Sequence, residues 1–391
     1  MSSADGNMTR SERAQRGPAI DGPTVLLALA LLLLGLVMVT SASITIAGRD
    51  GNPFAFLERQ LLLVLVGAVA AAVTFAIPTE KLEQLALPLL WLSLALLLVV
   101  LVPGLGHVVN GSRRWLRLAG MNFQVSEAAR VLALIYLASY AVRYEQALRG
   151  GLPGLLRPLG LLAAIALLLL LEPDFGAASV LFVTGLGVLF LAGARWRWML
   201  AMLLATGGCM TLLVMFSSYR MRRLMSFLDP WADPFNSGFQ LTQSLIAIGR
   251  GGLFGVGLGA SVQKLFYLPE AHTDFLFAVL AEELGLVGVA VTLGLFLALS
   301  WRAFVIARRA NAAGLKFQSY LASGFALWLG VQAFINIGVN MGVLPTKGLT
   351  LPLMSYGRSS LIVTLAWLGI LLRVHHETVH GGRRLARAAR A

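Results

Sequence analysis

The chain has 391 residues, 58% of them hydrophobic and only 13% charged, with a mean hydropathy of +0.80. A soluble globular protein carries about 25% charged residues, so that class is excluded; the apolar runs are continuous rather than alternating, which excludes a membrane β-barrel as well. The net charge of +13 then marks the cytoplasmic face of a multispanning protein and its contact with anionic lipid rather than a nucleic-acid partner. The fold class that remains is an all-α integral membrane protein.

In chain order, residues 1–23 are polar and aperiodic and read as a disordered cytoplasmic tail. The first apolar run, Thr24–Ile46, exceeds the roughly 7–15 apolar residues of a signal-peptide core and is expected to be a retained span. The further spans are expected at Phe56–Ile77, Leu82–Val102, Ser126–Val142, Leu152–Leu171, Phe175–Gly193, Trp196–Ser217, Asp274–Trp301, Phe317–Met341 and Thr350–Leu372, ten in all. Each is close to the ~20 residues that cross the hydrocarbon. The fourth is the weakest, because Glu127, Arg130 and Arg143 lie in or beside it. Cys209 is the single cysteine; it excludes an internal disulfide and reads as packing in the seventh run. Residues 24–373 thus form one ten-helix domain, with no separate soluble domain and no internal repeat of the kind inverted-repeat transporters show. Residues 374–391 are a basic cytoplasmic tail.

An even number of spans puts both termini on one side. Arg10, Arg13 and Arg16 precede the first span, and Arg373, Arg383, Arg384, Arg387 and Arg390 follow the last, so that side is cytoplasmic. The outer face then holds the loop Pro103–Gln124, a long loop at 218–273 between helices 7 and 8, and the turn Gly342–Leu349.

The outer face should be poor in cations, yet it carries Arg113, Arg114 and Arg117 around Trp115, then Arg220, Arg222 and Arg223, to which Arg59, Arg250, Lys264, Lys347 and Arg358 add. Two readings stand: contact with lipid phosphate, or an anionic substrate such as a pyrophosphate, which the guanidinium fork suits. Acids accompany them. Asp174, after Glu172 and Pro173, is placed to cap the sixth helix. Asp274 opens the eighth, where an acid is favoured by the helix dipole. Glu282 and Glu283 lie roughly 12 Å further in and about 80° and 180° around the helix from Asp274. One face therefore cannot serve all three. The expected division is Asp274 for surface chemistry and the Glu pair for ion pairs with other helices, such as one to Arg130; Glu127 is read as a structural ion-pair residue too.

Gln240 and Gln243, with apolar residues between them, predict a short helix lying at the interface. The turn before the last span places Lys347, Ser355, Ser359 and Ser360 near the outer surface, where small hydroxyl residues equally serve helix packing.

The segments NGSRRWLRLAG, EPDFGA, FNSGFQLTQSLIAIGRGGLFGVGLG, HTDFLFAVLAEELG and MGVLPTKGLTLPLMSYGRSS resemble the signatures of the SEDS family of shape, elongation, division and sporulation proteins, and the match runs in order over nearly the whole chain. The stretches FLDPWADPFNSGFQ and LPTKGLTLPLMSYG are more similar to the division branch than to the elongation branch. The resemblance implies ten transmembrane helices and a peptidoglycan glycosyltransferase that polymerises lipid II at the outer face of the bacterial inner membrane. It implies work at the division septum beside a division-type class B penicillin-binding protein, a transpeptidase, and other divisome membrane proteins. The family's essential acid falls on Asp274. Two motifs depart from the family pattern: SYGRSS has Arg358 for a glycine, and QVSEAAR has Val125 for a proline and Arg130 for a lysine.

On this reading Asp274 takes the proton of an attacking sugar hydroxyl while outer cations meet the leaving pyrophosphate. The candidate substrate-binding residues are Arg59, Arg113, Arg114, Trp115, Arg130, Asp174, Gln240, Gln243, Lys264, Lys347, Ser355 and Ser359. The alternative that the resemblance allows is a divalent cation, Mg or Mn, shared by Asp274 and the pyrophosphate. Two competing functions are a lipid II flippase, with Glu127, Arg130, Glu282 and Glu283 lining a polar path, and a non-catalytic scaffold that activates its transpeptidase.

Overall fold

The computed structural model describes residues 20–49, 51–109, 111–118, 121–216 and 218–388. The tail reading for residues 1–19, the packing role of Cys209, the side chains of Arg220, Arg222 and Arg223, and the basic side chains after His380 lie outside what it describes.

Helices dominate. They run α1 (Gly22–Arg49), α2 (Ala55–Ala76), α3 (Thr79–Gln84), α4 (Ala86–Leu101), α5 (Val125–Arg143), α6 (Glu145–Gly150), α7 (Leu152–Leu171), α8 (Phe175–Leu191), α9 (Trp196–Met215), α10 (Ser218–Leu228), α11 (Phe239–Gly251), α12 (Leu276–Ala312), α13 (Lys316–Asn340) and α14 (Arg358–Ala388). Seven helices among the described residues are long and apolar enough to cross a membrane, and α4 and α8 are shorter apolar helices. Each of the ten expected runs contains a helix. The short helix expected around Gln240 and Gln243 is α11.

Three boundaries differ from the expectation, each for a local reason. The third run is divided between α3 and α4 at Leu85. The tenth starts late: Thr350–Gly357 is a turn held by Leu351 N–H donating to Ser355 Oγ at 3.0 Å, with Leu353 at φ +65° and Pro352 unable to donate. The eighth continues to Ala312 but is broken at Gly285, where φ is +64°. There the 252–257 loop replaces helical partners: Leu286 N–H donates to Gly252 O at 3.0 Å and Val256 N–H to Glu282 O at 3.0 Å. In hydrocarbon a freed backbone group must find such a partner within the protein.

The loop expected at Pro103–Gln124 is in fact a three-stranded antiparallel meander, β1 (Gly106–Val109), β2 (Ser112–Leu118) and β3 (Met121–Gln124). Among the described residues it is the one departure from an all-α description. Its register pairs Trp115 with Gln124 and Leu116 with Phe123.

Most of α5 is buried, including Arg130 at 0% exposure. The run that was least convincing as a span is thus a central helix. It keeps its charges because they face protein rather than lipid. By contrast α2 leaves Leu61, Leu62, Leu65, Val69 and Val73 exposed, the outward face of a lipid-bathed helix. Its other face meets α14 closely: a Cβ on Gly369 would lie 2.2 Å from Ala71 O, and Thr74 Oγ donates to Ala366 O at 2.7 Å. Small residues that admit backbone contact are what membrane helix pairs select.

The bundle has two recognisable ends. At one, Asp21 pairs with Arg302 near the C-terminal part of α12 and approaches His375 of α14 at 3.7 Å. At the other lie the sheet, the start of α12 and the start of α14.

Candidate active site

Asp274 sits in the turn that precedes α12. Its main-chain carbonyl accepts two side-chain amides from α13, Asn336 Nδ2 at 2.9 Å and Asn340 Nδ2 at 3.0 Å. Its carboxylate faces Gly348, where an added Cβ would lie 2.9 Å from Oδ2. The residue is half-buried: protein packs densely around the carboxyl although part of the residue still reaches the surface. That burial, reinforced by the like charges of Glu270 and Asp174 and opposed by Arg114, pushes its pKa up to about 7.

Asp174 caps α8, accepting Ala177 N–H at 3.0 Å, as expected. It also accepts Gln124 Nε2 at 3.0 Å and Ser126 Oγ at 2.9 Å, and Arg114 Nη1 stands 4.0 Å away. Gln124 N–H in turn donates to Ser359 Oγ at 2.7 Å. One glutamine thereby joins the starts of α5, α8 and α14. Arg114 is 5.9 Å from the Trp115 ring centre, and Lys347 Nζ lies 3.7 Å over the Phe175 ring. Arg113 Nη1 donates to Leu101 O at 3.2 Å and so grips the end of α4.

Two ionisable groups here were not singled out as site residues. Glu172 is fully buried, and burial followed by the charge of Asp174 pushes its pKa up to about 8, so it is largely neutral at pH 7. His272 lies against Phe56 at 4.8 Å and Tyr356 at 5.7 Å, and burial lowers its pKa.

A second cluster lies deeper along α12. Glu283 accepts Lys264 Nζ at 2.8 Å and Ser41 Oγ at 2.7 Å. Glu282 accepts Ser261 Oγ at 2.5 Å and Val262 N–H at 3.2 Å, and Arg250 approaches it at 3.6 Å. The ion pair expected between this acid pair and Arg130 is not formed. Arg130 instead pairs with Glu127 one turn away, and its Nη1 donates to Gln332 Oε1 at 3.0 Å. The reason is reach: Glu127 shares α5 with Arg130, whereas Arg250 at the end of α11 approaches Glu282 and Lys264 of the following loop pairs with Glu283.

The candidates therefore divide. Asp274, Asp174, Arg114 and Lys347 gather at one end of the bundle, with Ser359 joined through Gln124 and Arg113 and Trp115 on the adjoining strand. Lys264 and Arg130 are absorbed in buried pairs, and Ser355 locks the 351–355 turn. Arg59 is exposed on the first turns of α2, and Gln240 and Gln243 are half-buried on α11. Arg358 is the first helical residue of α14 and has negative φ, so the backbone there does not require the family's glycine. Asn336, Asn340 and Gln332 were missed. The signal was present: amides at i, i+4 and i+8 form one polar stripe on an otherwise apolar span.

Fold and site together define a class: a polytopic helical membrane protein with an acid–base cluster at one end of its bundle. The model of the FtsW, RodA and SpoVE cell cycle proteins matches residues 23–380. The chain is 57% identical over 379 residues to a protein of Thioalkalivibrio sulfidiphilus named probable peptidoglycan glycosyltransferase FtsW, covering 96% of this chain and 94% of that one. A protein of Coxiella burnetii with the same name is 51% identical over 359 residues, covering 92% and 96%. Among solved structures, a chain of a peptidoglycan synthase complex that coordinates polymerization and crosslinking superposes with a TM-score of 0.76 at 34% identity, over 93% of this chain and 99% of that one. The rod shape determining protein RodA of Thermus thermophilus gives a TM-score of 0.68 at 34% identity, over 92% and 97%. This chain belongs to the FtsW, RodA and SpoVE family, the family its signature segments resemble.

Proposed function

We propose that this chain is a peptidoglycan glycosyltransferase of the division type that polymerises lipid II into glycan strands, with Asp274 as general base. The observation that carries the reading is the setting of Asp274: a half-buried carboxylate beside Gly348, on a main chain held by Asn336 and Asn340, at the end of the bundle that also carries Asp174 and Arg114. Burial raises its pKa, the direction that makes a carboxylate a stronger base toward a hydroxyl proton. The acceptor hydroxyl gives that proton to Asp274 as its oxygen bonds to the donor sugar carbon. The bond from that carbon to the pyrophosphate oxygen breaks, and the pyrophosphate leaves on its prenyl chain. Arg114 and Lys347 offer positive charge to the departing oxygens. One displacement inverts the α-linked donor, so a single essential carboxylate is enough.

A divalent cation, Mg or Mn, fits this site only as a shared ion. Among the described residues no three His, Cys, Asp or Glu side chains come together as a metal site. Asp274 would supply one hard oxygen ligand, with pyrophosphate and water the others. Once bound, the ion would neutralise leaving-group charge.

The placement in the cell follows the sequence reading: ten spans, the 218–273 segment on the outer side, both termini cytoplasmic, and work at the septum of the bacterial inner membrane. A division-type class B penicillin-binding protein and other divisome membrane proteins are the partners. The exposed apolar faces of α12 and α13, with Val291, Leu297, Trp301 and Phe334, suit a partner's membrane helix. The flippase reading is disfavoured because the deep charges are engaged with one another: Glu127 with Arg130, and Glu283 with Lys264.

The test is glycan-strand formation from purified lipid II in liposomes, for the parent and Asp274→Ala, each with and without the transpeptidase. Polymer from the parent alone supports the reading. Lipid II crossing leaflets without polymer would replace it with the flippase. Full activity in Asp274→Ala with the partner bound would leave a scaffold.

A further inference from the structure

We propose that Asn336 and Asn340 of α13 are positioning residues for Asp274, two amides one helical turn apart that fix the main chain carrying the reactive carboxylate. This rests on the reading of Asp274 as the base.

The turn that holds Asp274 closes on Glu270, whose carbonyl accepts Thr273 N–H at 3.1 Å and Phe275 N–H at 3.2 Å, but these bonds leave the Asp274 carbonyl and the first N–H groups of α12 to other partners. The N-cap of α12 is Phe275, whose side chain caps nothing, and Glu270 in the same turn sits at φ +57°. The first N–H groups of a helix need acceptors, and here one comes from another helix. Asn340 Oδ1 accepts Ala278 N–H at 3.1 Å, and its Nδ2 donates to Asp274 O at 3.0 Å. Asn340 thus caps α12 and holds the residue just outside it in one contact. Asn336 adds the second grip. Its Nδ2 donates to Asp274 O at 2.9 Å and to Leu349 O at 2.5 Å. The same amide therefore locks the Asp274 turn to the segment whose Gly348 faces the carboxylate. The platform reaches one element further, since Ser244 Oγ of α11 donates to Asn340 O at 2.8 Å.

Both asparagines are almost wholly buried, at 2% and 0% exposure. A buried amide in a membrane span is costly unless paired, and apolar residues would pack α13 against its neighbours without that cost. One hydrogen bond from each amide meets at the same carbonyl, that of the proposed base. A displacement of a reacting group by about 1 Å costs up to about 100-fold in rate.

The experiment uses the full chain with its transpeptidase partner and lipid II, and compares Asn340→Asp, Asn336→Ala and Asn336→Ser. Asn340→Asp is nearly isosteric: it keeps the acceptor for Ala278 N–H and loses the donor to Asp274 O and Asn336 O, and because it adds a buried carboxyl beside the base, the uncharged Asn336→Ala is the variant that separates positioning from charge. The expected result is a fall in kcat of about 10–100-fold in Asn340→Asp and Asn336→Ala, with KM within about two-fold and a shifted acid limb of the pH–rate profile. Asn336→Ser retains one donor and recovers part of kcat. On an Asp274→Ala background the same changes cause no further loss, since the group they position is gone. The proposal is overturned if kcat falls only in proportion to the folded fraction, if KM alone changes, or if Asn340→Asp is fully active. Its failure is separable from failure of the base reading. An active Asp274→Ala sinks the base; an inactive Asp274→Ala beside folded, fully active asparagine variants sinks only the positioning role.

Discussion

Two acidic clusters belong to the α12 region, one in the turn that precedes the helix and one two turns into it, and they are built to opposite ends. Around Glu282 and Glu283 every charge is answered: Lys264, Arg250, Ser41, Ser261 and backbone N–H groups surround two fully buried carboxylates. Around Asp274 the answer is partial. Its main chain is held twice, while its carboxyl feels the like charges of Glu270 and Asp174 and the opposing charge of Arg114. The first cluster stitches the 251–264 loop to a broken helix; the second leaves a carboxyl whose pKa burial raises, the group proposed above as the base. Depth in the bundle does not separate a structural acid from a reactive one. Whether its partners neutralise it does.

This contrast can be broken by mutation. The largest effect is expected from Asp274→Asn, which should reduce lipid II polymerisation by about 10²–10⁴-fold, the usual worth of a general base, while thermal unfolding in detergent changes little. A polymerase that keeps its rate would place the chemistry elsewhere. Glu283→Ala should do the reverse. It strands buried Lys264, so stability should fall by about 3–5 kcal/mol, with the rate per folded molecule largely kept. The paired change Glu283→Leu with Lys264→Met should restore most of the stability, and a double-mutant cycle on unfolding measures the coupling.

The pH dependence sharpens the same comparison. Asp274 must be ionised to act, so the rate should fall about ten-fold per unit below its pKa of about 7 and level off above it. Glu270→Gln removes a like charge, lowers that pKa and should move the limb toward acid. Glu172 offers a stability counterpart. Its pKa is raised from 4.5 to about 8, so the folded state binds the proton more tightly than the unfolded chain. Stability contributed by this group therefore declines between about pH 4.5 and 8 as the pH rises. Glu172→Gln should lack that decline, visible as a smaller drop in unfolding temperature on going to pH 8. The smallest shift of the acid limb is expected from Arg114→Gln, which should raise the pKa of Asp274 slightly and, as a cation proposed to meet the leaving pyrophosphate, should also lower the plateau rate; a rate profile unchanged within error would remove Arg114 from the site's electrostatics.

Much of this was legible in the sequence because hydrocarbon imposes strict rules. Long apolar runs had to be helices, since only a helix satisfies its own backbone in lipid. Charges inside them had to be paired or functional, which singled out Asp274, Glu282, Glu283, Glu127 and Arg130. The cap on α8 by Asp174 followed from local chemistry alone. The partners did not follow. Nothing in the spacing of Glu282 or Arg130 says which cation reaches which acid, because that is decided by how the 251–264 loop returns to α12 and how α5 meets α13. The sheet at 106–124 escaped notice because its strands are short and gain their stability from pairing with one another. Neither the crossing of Asn336 and Asn340 beneath Asp274 nor the neutral state of Glu172 is written in its own segment of chain. Composition and periodicity determined that this chain is a helical membrane protein with acids in the wrong solvent. Only the tertiary packing decided which of those acids remain free to accept a proton, because desolvation and pairing depend on neighbours distant in sequence.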